Sequence, residues 1–242
     1  MRIAVISDIH ANLHALEAAL AAIDADEVDE VWCLGDLVGY GPRPNECVAL
    51  VRERAALCLV GNHDLAVVGA LDLDLFVGHA GAAARWTQTV LDREAREFLL
   101  GLEPEARRDR VALAHGSPRD PVWEYVLSES TAAAALAAVE EPLVLVGHSH
   151  VALRAVERDG TVTGAGAAAG DEFELADGRH LLNPGSVGQP RDGDPRAAWL
   201  VIDTDAARAT FRRTDYPVER TQAELRSAGL PDVLAARLPH GV

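Results

Sequence analysis

The sequence predicts an α/β protein in which two β-sheets pack face to face with helices outside. Three observations predict it. Five short continuous apolar runs, at 3–6, 31–34, 57–60, 111–114 and 143–146, have the texture of strands buried on both faces. Strand-like and helix-like stretches alternate through residue 60, the order that gives a parallel sheet with right-handed crossovers. After His150 the pattern turns to short runs of period two around Asp159-Gly160, a hairpin signal, so this half reads as antiparallel.

The elements follow in order. Residues 2–7 form the first strand. A helix runs from Asn12 to about Ile23, with Leu13, Leu16, Leu20 and Ile23 on one face. Residues 30–34 form the second strand, and the glycines and prolines of 39–44 make a loop. A helix through about Arg54 leads to a third strand at 56–60. Residues 65–79, apolar but broken by glycine, read as a loop with weak helix and a candidate lid. Two helices cover 80–101, a strand at 110–114 ends at His115, and 116–127 is a Pro-containing loop. An alanine-rich helix at 129–139 precedes a strand at 143–147. The hairpin of 151–158 and 161–168, strands at 172–176, 179–182, 197–203 and 207–213, and a helical tail at 217–238 complete the chain. With no low-complexity linker or internal repeat, residues 1–242 read as one domain.

The net charge of −16 gives no electrostatic footprint for nucleic acid and disfavours anionic membranes. All 22 basic residues are arginine, which excludes Schiff-base, pyridoxal-anchoring and P-loop lysine chemistry. Cys33, Cys47 and Cys58 are odd in number and lack CxxC spacing, so they read as reduced structural thiols. No run approaches the roughly 18 apolar residues of a membrane span. The first apolar run is cut short by Asp8, unlike a signal peptide, and the expected location is the cytoplasm.

The chemistry lies where the apolar runs end. The first leads to Asp8 and His10, the second to Asp36, the third to Asn62, His63 and Asp64, the fourth to His115, the fifth to His148 and His150. In open α/β sheets, sites form beyond the carboxyl ends of strands, so these residues are expected along one edge of one sheet. At a strand end, the spacing of Asp8 to His10, repeated by His148 to His150, puts two side chains on one face. The donors are nitrogen and oxygen without thiolate, a set suited to Mn, Fe, Zn, Ni or Co. Seven ligands exceed the four of one tetrahedral site, so two ions are expected.

A single buried His or Asp is usually structural; the ordered set carries the ligand reading. His14, His79, His180 and His240 fall outside it and read as solvated. Asn12 is either a helix N-cap or a phosphate contact. Tyr40 reads as loop packing, and Arg191 as a candidate phosphate contact.

Ser7-Asp8-Ile9-His10, Gly35-Asp36-Leu37-Val38, Gly61-Asn62-His63-Asp64, His115-Gly116 and Gly147-His148-Ser149-His150 resemble the ordered motifs of the calcineurin-like metallophosphoesterases. Asn183-Pro184-Gly185-Ser186-Val187 resembles a feature of the small bacterial and archaeal branch related to the YfcE phosphodiesterases. The resemblance implies a four-layer α/β/β/α sandwich of two mixed sheets. It implies that Asp8, His10 and His150 hold one divalent ion, manganese first, that Asn62, His115 and His148 hold another, and that Asp36 bridges them. A bridging hydroxide would attack phosphorus in line. His63 would protonate the leaving group or stabilise charge, with Asp64 orienting its ring. Ala11 stands where glycine often follows the first histidine, and Asp64 where protein phosphatases carry glutamate. The arginine those enzymes place after the second motif has no clear counterpart, Arg43 coming later; protein phosphatase activity is therefore disfavoured.

The expected function is hydrolysis of a small-molecule phosphate ester, a diester before a monoester, with a homo-oligomer left open. A hydrolase of nucleotides such as dinucleoside polyphosphates is the alternative, and a non-catalytic metal-binding scaffold a second one.

Overall fold

The computed structural model describes residues 1–242. Its strands are β1 (Arg2–Ile6), β2 (Glu30–Cys33), β3 (Leu57–Cys58), β4 (Glu105–Arg108), β5 (Val111–Ala114), β6 (Leu143–Val146), β7 (Ala152–Arg158), β8 (Thr161–Gly166), β9 (Glu172–Glu174), β10 (Arg179–Pro184), β11 (Ala197–Asp203) and β12 (Arg208–Thr214). The helices are α1 (Leu13–Ala25), α2 (Pro44–Arg54), α3 (Asn62–Val68), α4 (Gly78–Val90), α5 (Arg93–Leu100), α6 (Glu129–Ala137), α7 (Val218–Ser227) and α8 (Asp232–Arg237).

Two six-stranded mixed sheets result, in the orders β3-β2-β1-β11-β12-β9 and β4-β5-β6-β10-β7-β8. Strand alternation builds the layers. Ile3 and Val5 of β1 meet Leu113, Leu145, Leu182 and Phe211 between the sheets, whereas Ala4 and Ile6 pack outward with Leu16 and Leu20 of α1. On the far side, Ala112, Val144 and Leu181 pack outward with Leu136 of α6. The result is the expected sandwich of helix, sheet, sheet and helix.

The early strands are parallel and the strands after His150 pair antiparallel with one another, as expected, but the two halves do not form separate sheets. β1, β2 and β3 are parallel in one sheet, β5 and β6 are parallel in the other, and the late strand β10 joins β6 in parallel. Late β11 pairs antiparallel with β1. The predicted ligands therefore sit at the ends of strands from two sheets rather than one. Of residues 65–79, read as a loop with weak helix, those to Val68 belong to α3, which starts earlier at Asn62 and buries polar Asn62, His63 and Asp64, and Leu73–Leu75 form a 3-10 turn. β4 is a half-exposed edge strand of sequence Glu-Ala-Arg-Arg and gives no hydrophobic signal. The three cysteines are unpaired, and no helix is long and apolar enough to cross a membrane.

Candidate metal centre

Beyond the strand ends the backbone turns sharply. Asp8, His10, Asp36, His148 and His150 all have positive φ, between 49° and 63°. Non-glycine residues rarely adopt this left-handed region, at a cost of about 1–3 kcal/mol each, and such strain gathers at functional sites. The Asp8–His10 and His148–His150 pairs thus converge through left-handed turns, not through strand alternation as their spacing suggested. Backbone bonds hold the turns: Asp8 N–H donates to Gly35 O at 3.0 Å, His10 N–H to Asp36 O at 3.0 Å and Gly147 N–H to His115 O at 2.9 Å. The Ser186 hydroxyl donates to Asp8 O at 2.7 Å. The Asn183 amide donates to Gly147 O at 2.6 Å and to the Ser149 hydroxyl at 3.0 Å, which gives the Asn-Pro-Gly-Ser segment its role.

All seven candidate ligands are buried. In His10, His115 and His150, Nδ1 donates to the carbonyls of Val38 (3.0 Å), Leu34 (2.8 Å) and Gln189 (2.7 Å). A carbonyl only accepts, so each neutral ring presents an unprotonated Nε2 inward. His10 Nε2 lies 2.9 Å from His150 Nε2, and Asp8 Oδ1 is 3.4 Å from His150 Nε2. Asp36 Oδ2 lies 3.6 Å from His10 Nε2 and 3.5 Å from His115 Nε2. Asn62 Oδ1 is 3.2 Å from His115 Nε2, and the His115 and His148 ring centres are 5.0 Å apart. The donors fall into two compact groups, Asp8-His10-Asp36-His150 and Asp36-His115-His148, with Asp36 in both.

The arrangement fits divalent cations. Asp8 Oδ1, Asp36 Oδ2 and His148 Nε2 are buried without hydrogen-bond partners. Two imidazole lone pairs face each other across 2.9 Å. Acceptors left this way are costly unless a positive charge lies among them.

The electrostatics suit that role. Burial holds His10 and His150 well below the ordinary imidazole pKa and takes His148 down to about 3, so these rings stay neutral. Burial would lower His115 too, but neighbouring Asp36 raises it to about 9. Burial would raise Asp36, yet His115 and His63 hold it well below the usual carboxylate range. Asp8, desolvated and opposed to Asp36, is pushed up to about 7.

His63 stands beside the donors, its ring centre 4.9 Å from His10 and 4.5 Å from Tyr40. Its Nδ1 has no partner, and burial lowers it to about 4. Gly39 leaves room for the ring: at φ +84° its added Cβ would lie 2.6 Å from His63 Nδ1. Asp64 does not orient this ring. Its carboxylate accepts from Val38 N–H at 2.9 Å and Gly61 N–H at 3.0 Å, tying the start of α3 to the loop after β2. Asn12 caps α1 by accepting from Ala15 N–H at 3.3 Å, accepts from the Thr221 hydroxyl at 2.9 Å and donates to Gly188 O at 2.9 Å. These bonds match the N-cap reading of Asn12. Arg191 donates to Gln189 Oε1 at 3.0 Å, leaves its Nε unpartnered and lies against Tyr40, which itself packs on His10. Arg43 is far from this role, clamped by Glu224 and Glu46. His180, expected in solvent, is buried with Nε2 3.1 Å from Asp177 O.

Sequence reasoning missed Tyr125, whose ring lies parallel to His148 at 4.1 Å, and Phe76, 4.8 Å from His63. Neither sits in a recognisable motif. Gly61 lay in one of the motifs, but its reason did not: a Cβ there would come within 2.1 Å of Asp36 Oδ1.

Residues 1–207 match the model of the calcineurin-like phosphoesterase superfamily domain. A metallophosphoesterase structure from Sphaerobacter thermophilus superposes with a TM-score of 0.91 at 45% identity, covering 100% of this chain and 99% of that one. An uncharacterised protein of Methanocaldococcus jannaschii is 37% identical over 98% of this chain and 96% of its own length. The phosphodiesterase YfcE of Escherichia coli is 28% identical over 85% of this chain and 89% of its own length.

Proposed function

Because the chain belongs to the calcineurin-like phosphoesterase superfamily, and so to the metal-dependent phosphoric ester hydrolases, we propose that it is a dinuclear phosphodiesterase acting on a small phosphate ester. The observation that carries this reading is Asp36 Oδ2, buried, unpartnered and shared between the two donor groups. On this reading Asp8, His10 and His150 would hold one cation, Asn62, His115 and His148 would hold the other, and Asp36 would serve both. Manganese is the first choice, with Fe, Zn, Ni and Co open to the same donor set. When bound, such a pair clamps the phosphoryl oxygens and acidifies a water for attack at phosphorus.

The chain's own residues supply the rest. Backbone carbonyls fix the tautomers of three ligand rings; the inward nitrogens of His10 and His150 are free of protons, and His115 would give up its inward proton when a cation loads. His63, neutral when buried without substrate and with a free Nδ1 at the edge of the donor groups, would hydrogen-bond the phosphoryl group or, once an anionic phosphate beside it favours its protonated form, give a proton to the departing oxygen. Arg191, with its buried Nε unpartnered beside Tyr40, supplies positive charge for a phosphate oxygen. One chain provides every one of these groups. The unpaired thiols fit a cytoplasmic setting.

The sharpest test is hydrolysis of bis-p-nitrophenyl phosphate by Mn²⁺-loaded protein, with and without chelator. Chelator-sensitive release of p-nitrophenolate is expected. A metal-binding scaffold would give none. Nucleotide or dinucleoside polyphosphate hydrolysis would use the same residues and differ only in what surrounds them.

A further inference from the structure

Two segments border the donor groups with apolar side chains turned to solvent. One is the short 3-10 turn Leu73–Leu75 with Phe76 and Val77; the other is the loop from Gly116 to Leu127. Of nine exposed large hydrophobic side chains in the molecule, five (Leu75, Val77, Trp123, Tyr125 and Leu127) lie on these two segments. Trp123 is 37% exposed and Tyr125 46%. Apolar surface concentrated this way on a protein otherwise rich in charge marks a binding surface.

Its geometry is aromatic and continuous with the site. Tyr125 lies flat on His148, with ring centres 4.1 Å apart and planes 7° from parallel. Phe76 stands edge-on to His63 at 4.8 Å, and Trp123 leans on Phe76 at 5.7 Å. The loop is held before any ligand arrives. Gly116 N–H donates to Pro121 O at 2.7 Å, and the Asp120 carboxylate accepts from Val122 and Trp123 N–H at 3.2 and 3.1 Å. Glu124, the only charge between Pro121 and Leu127, is turned back onto Ser117 and Arg119. The tip is therefore a neutral, rigid aromatic surface beside the phosphate-handling groups. Preorganised rings bind flat π-systems at low entropic cost.

We propose that Trp123 and Tyr125, backed by Phe76, form a stacking platform for a flat aromatic ring on the substrate, a nucleobase above all. The reading deepens the phosphodiesterase assignment and rests on it. It makes the substrate a nucleoside or aryl phosphoester, not a phosphorylated polyol.

Binding of AMP, phenyl phosphate and glycerol 3-phosphate to the full-length protein, measured by calorimetry with and without Mn²⁺, tests it. Trp123→Ala should weaken AMP about tenfold, the scale of one stacked base, and weaken glycerol 3-phosphate far less. Trp123→Phe, which keeps a flat ring, should restore AMP affinity to within a few-fold. AMP should quench tryptophan fluorescence in the wild type and not in Trp123→Phe. A larger loss for AMP than for phenyl phosphate identifies a nucleobase site, and equal losses identify a site for any flat ring. Equal weakening of AMP and glycerol 3-phosphate, or no weakening of either, would overturn the platform. Because binding needs no turnover, the result stands apart from the chelator-sensitive hydrolysis that decides the function.

Discussion

His10 Nε2 and His150 Nε2 face each other at 2.9 Å, and each ring has committed its other nitrogen to a backbone carbonyl. Two lone pairs held that close need a positive charge to share. Replacing His10 with alanine should therefore impair loading of the group containing Asp8 and His150 more than that containing His115 and His148. Metal content after exhaustive dialysis should fall from about two ions per chain toward one, the number set by the two-ion reading. Unchanged metal content would contradict it.

On the proposed reading, His63 acts on substrate rather than holding metal. His63→Ala should keep its metal and lose roughly 10²–10⁴-fold in kcat, the usual scale of acid–base assistance. Steady-state kinetics paired with metal analysis checks this. A variant that turns over normally would remove His63 from the chemistry.

Asp64 has a structural task. Asp64→Ala leaves the Gly61 and Val38 N–H groups without their acceptor, at about 1–3 kcal/mol for each buried orphan. A lowered melting temperature is expected, with kcat below the melt reduced far less than in His63→Ala. Matching losses of kcat in the two variants would instead make Asp64 a partner of the histidine.

Gly61 is demanded by space. A methyl group there would meet Asp36 Oδ1 at 2.1 Å. Gly61→Ala should displace the shared carboxylate and lower metal affinity. It should also destabilise the fold by about 1–3 kcal/mol, as overpacking does. Calorimetric Mn²⁺ titration of the variant measures the first effect and thermal melting the second; wild-type values in both would show that the loop yields freely.

The contrast between Asp64 and Gly61 shows what the sequence could and could not disclose. The seven donors were legible because each follows the end of an apolar run, although they gather from two sheets and not from the one edge expected. Which sheet each run joins was not legible: β10 and β11 are short apolar strands whose parallel or antiparallel partners depend on long-range packing. The i, i+2 spacing of Asp8 and His10 gave the right pair for the wrong reason, since left-handed backbone is invisible to residue periodicity. Tyr125 and Phe76 stayed hidden because an aromatic side chain in a loop looks the same in sequence whether it packs on a core or on a ligand.

Proton linkage gives a pH signature. In the metal-free protein, burial opposes protonation of His115 but Asp36 raises its pKa from 6.5 to about 9. A folded pKa above the unfolded one means that this proton stabilises the fold fully below about pH 6.5, and that the contribution is lost as pH rises through about 9. Metal-free protein should therefore lose melting temperature between those limits, and metal-loaded protein should not. Loading at pH 7 should release protons, read as unequal binding heats in buffers of different ionisation enthalpy. Equal heats would contradict the protonated state.

The most direct test of the shared Asp36 carboxylate is electron paramagnetic resonance of the Mn²⁺-loaded protein. The wild type should show an exchange-coupled pair, and Asp36→Ala should show isolated Mn²⁺ or none. A wild-type spectrum of isolated ions alone, at any loading, would contradict the dinuclear centre.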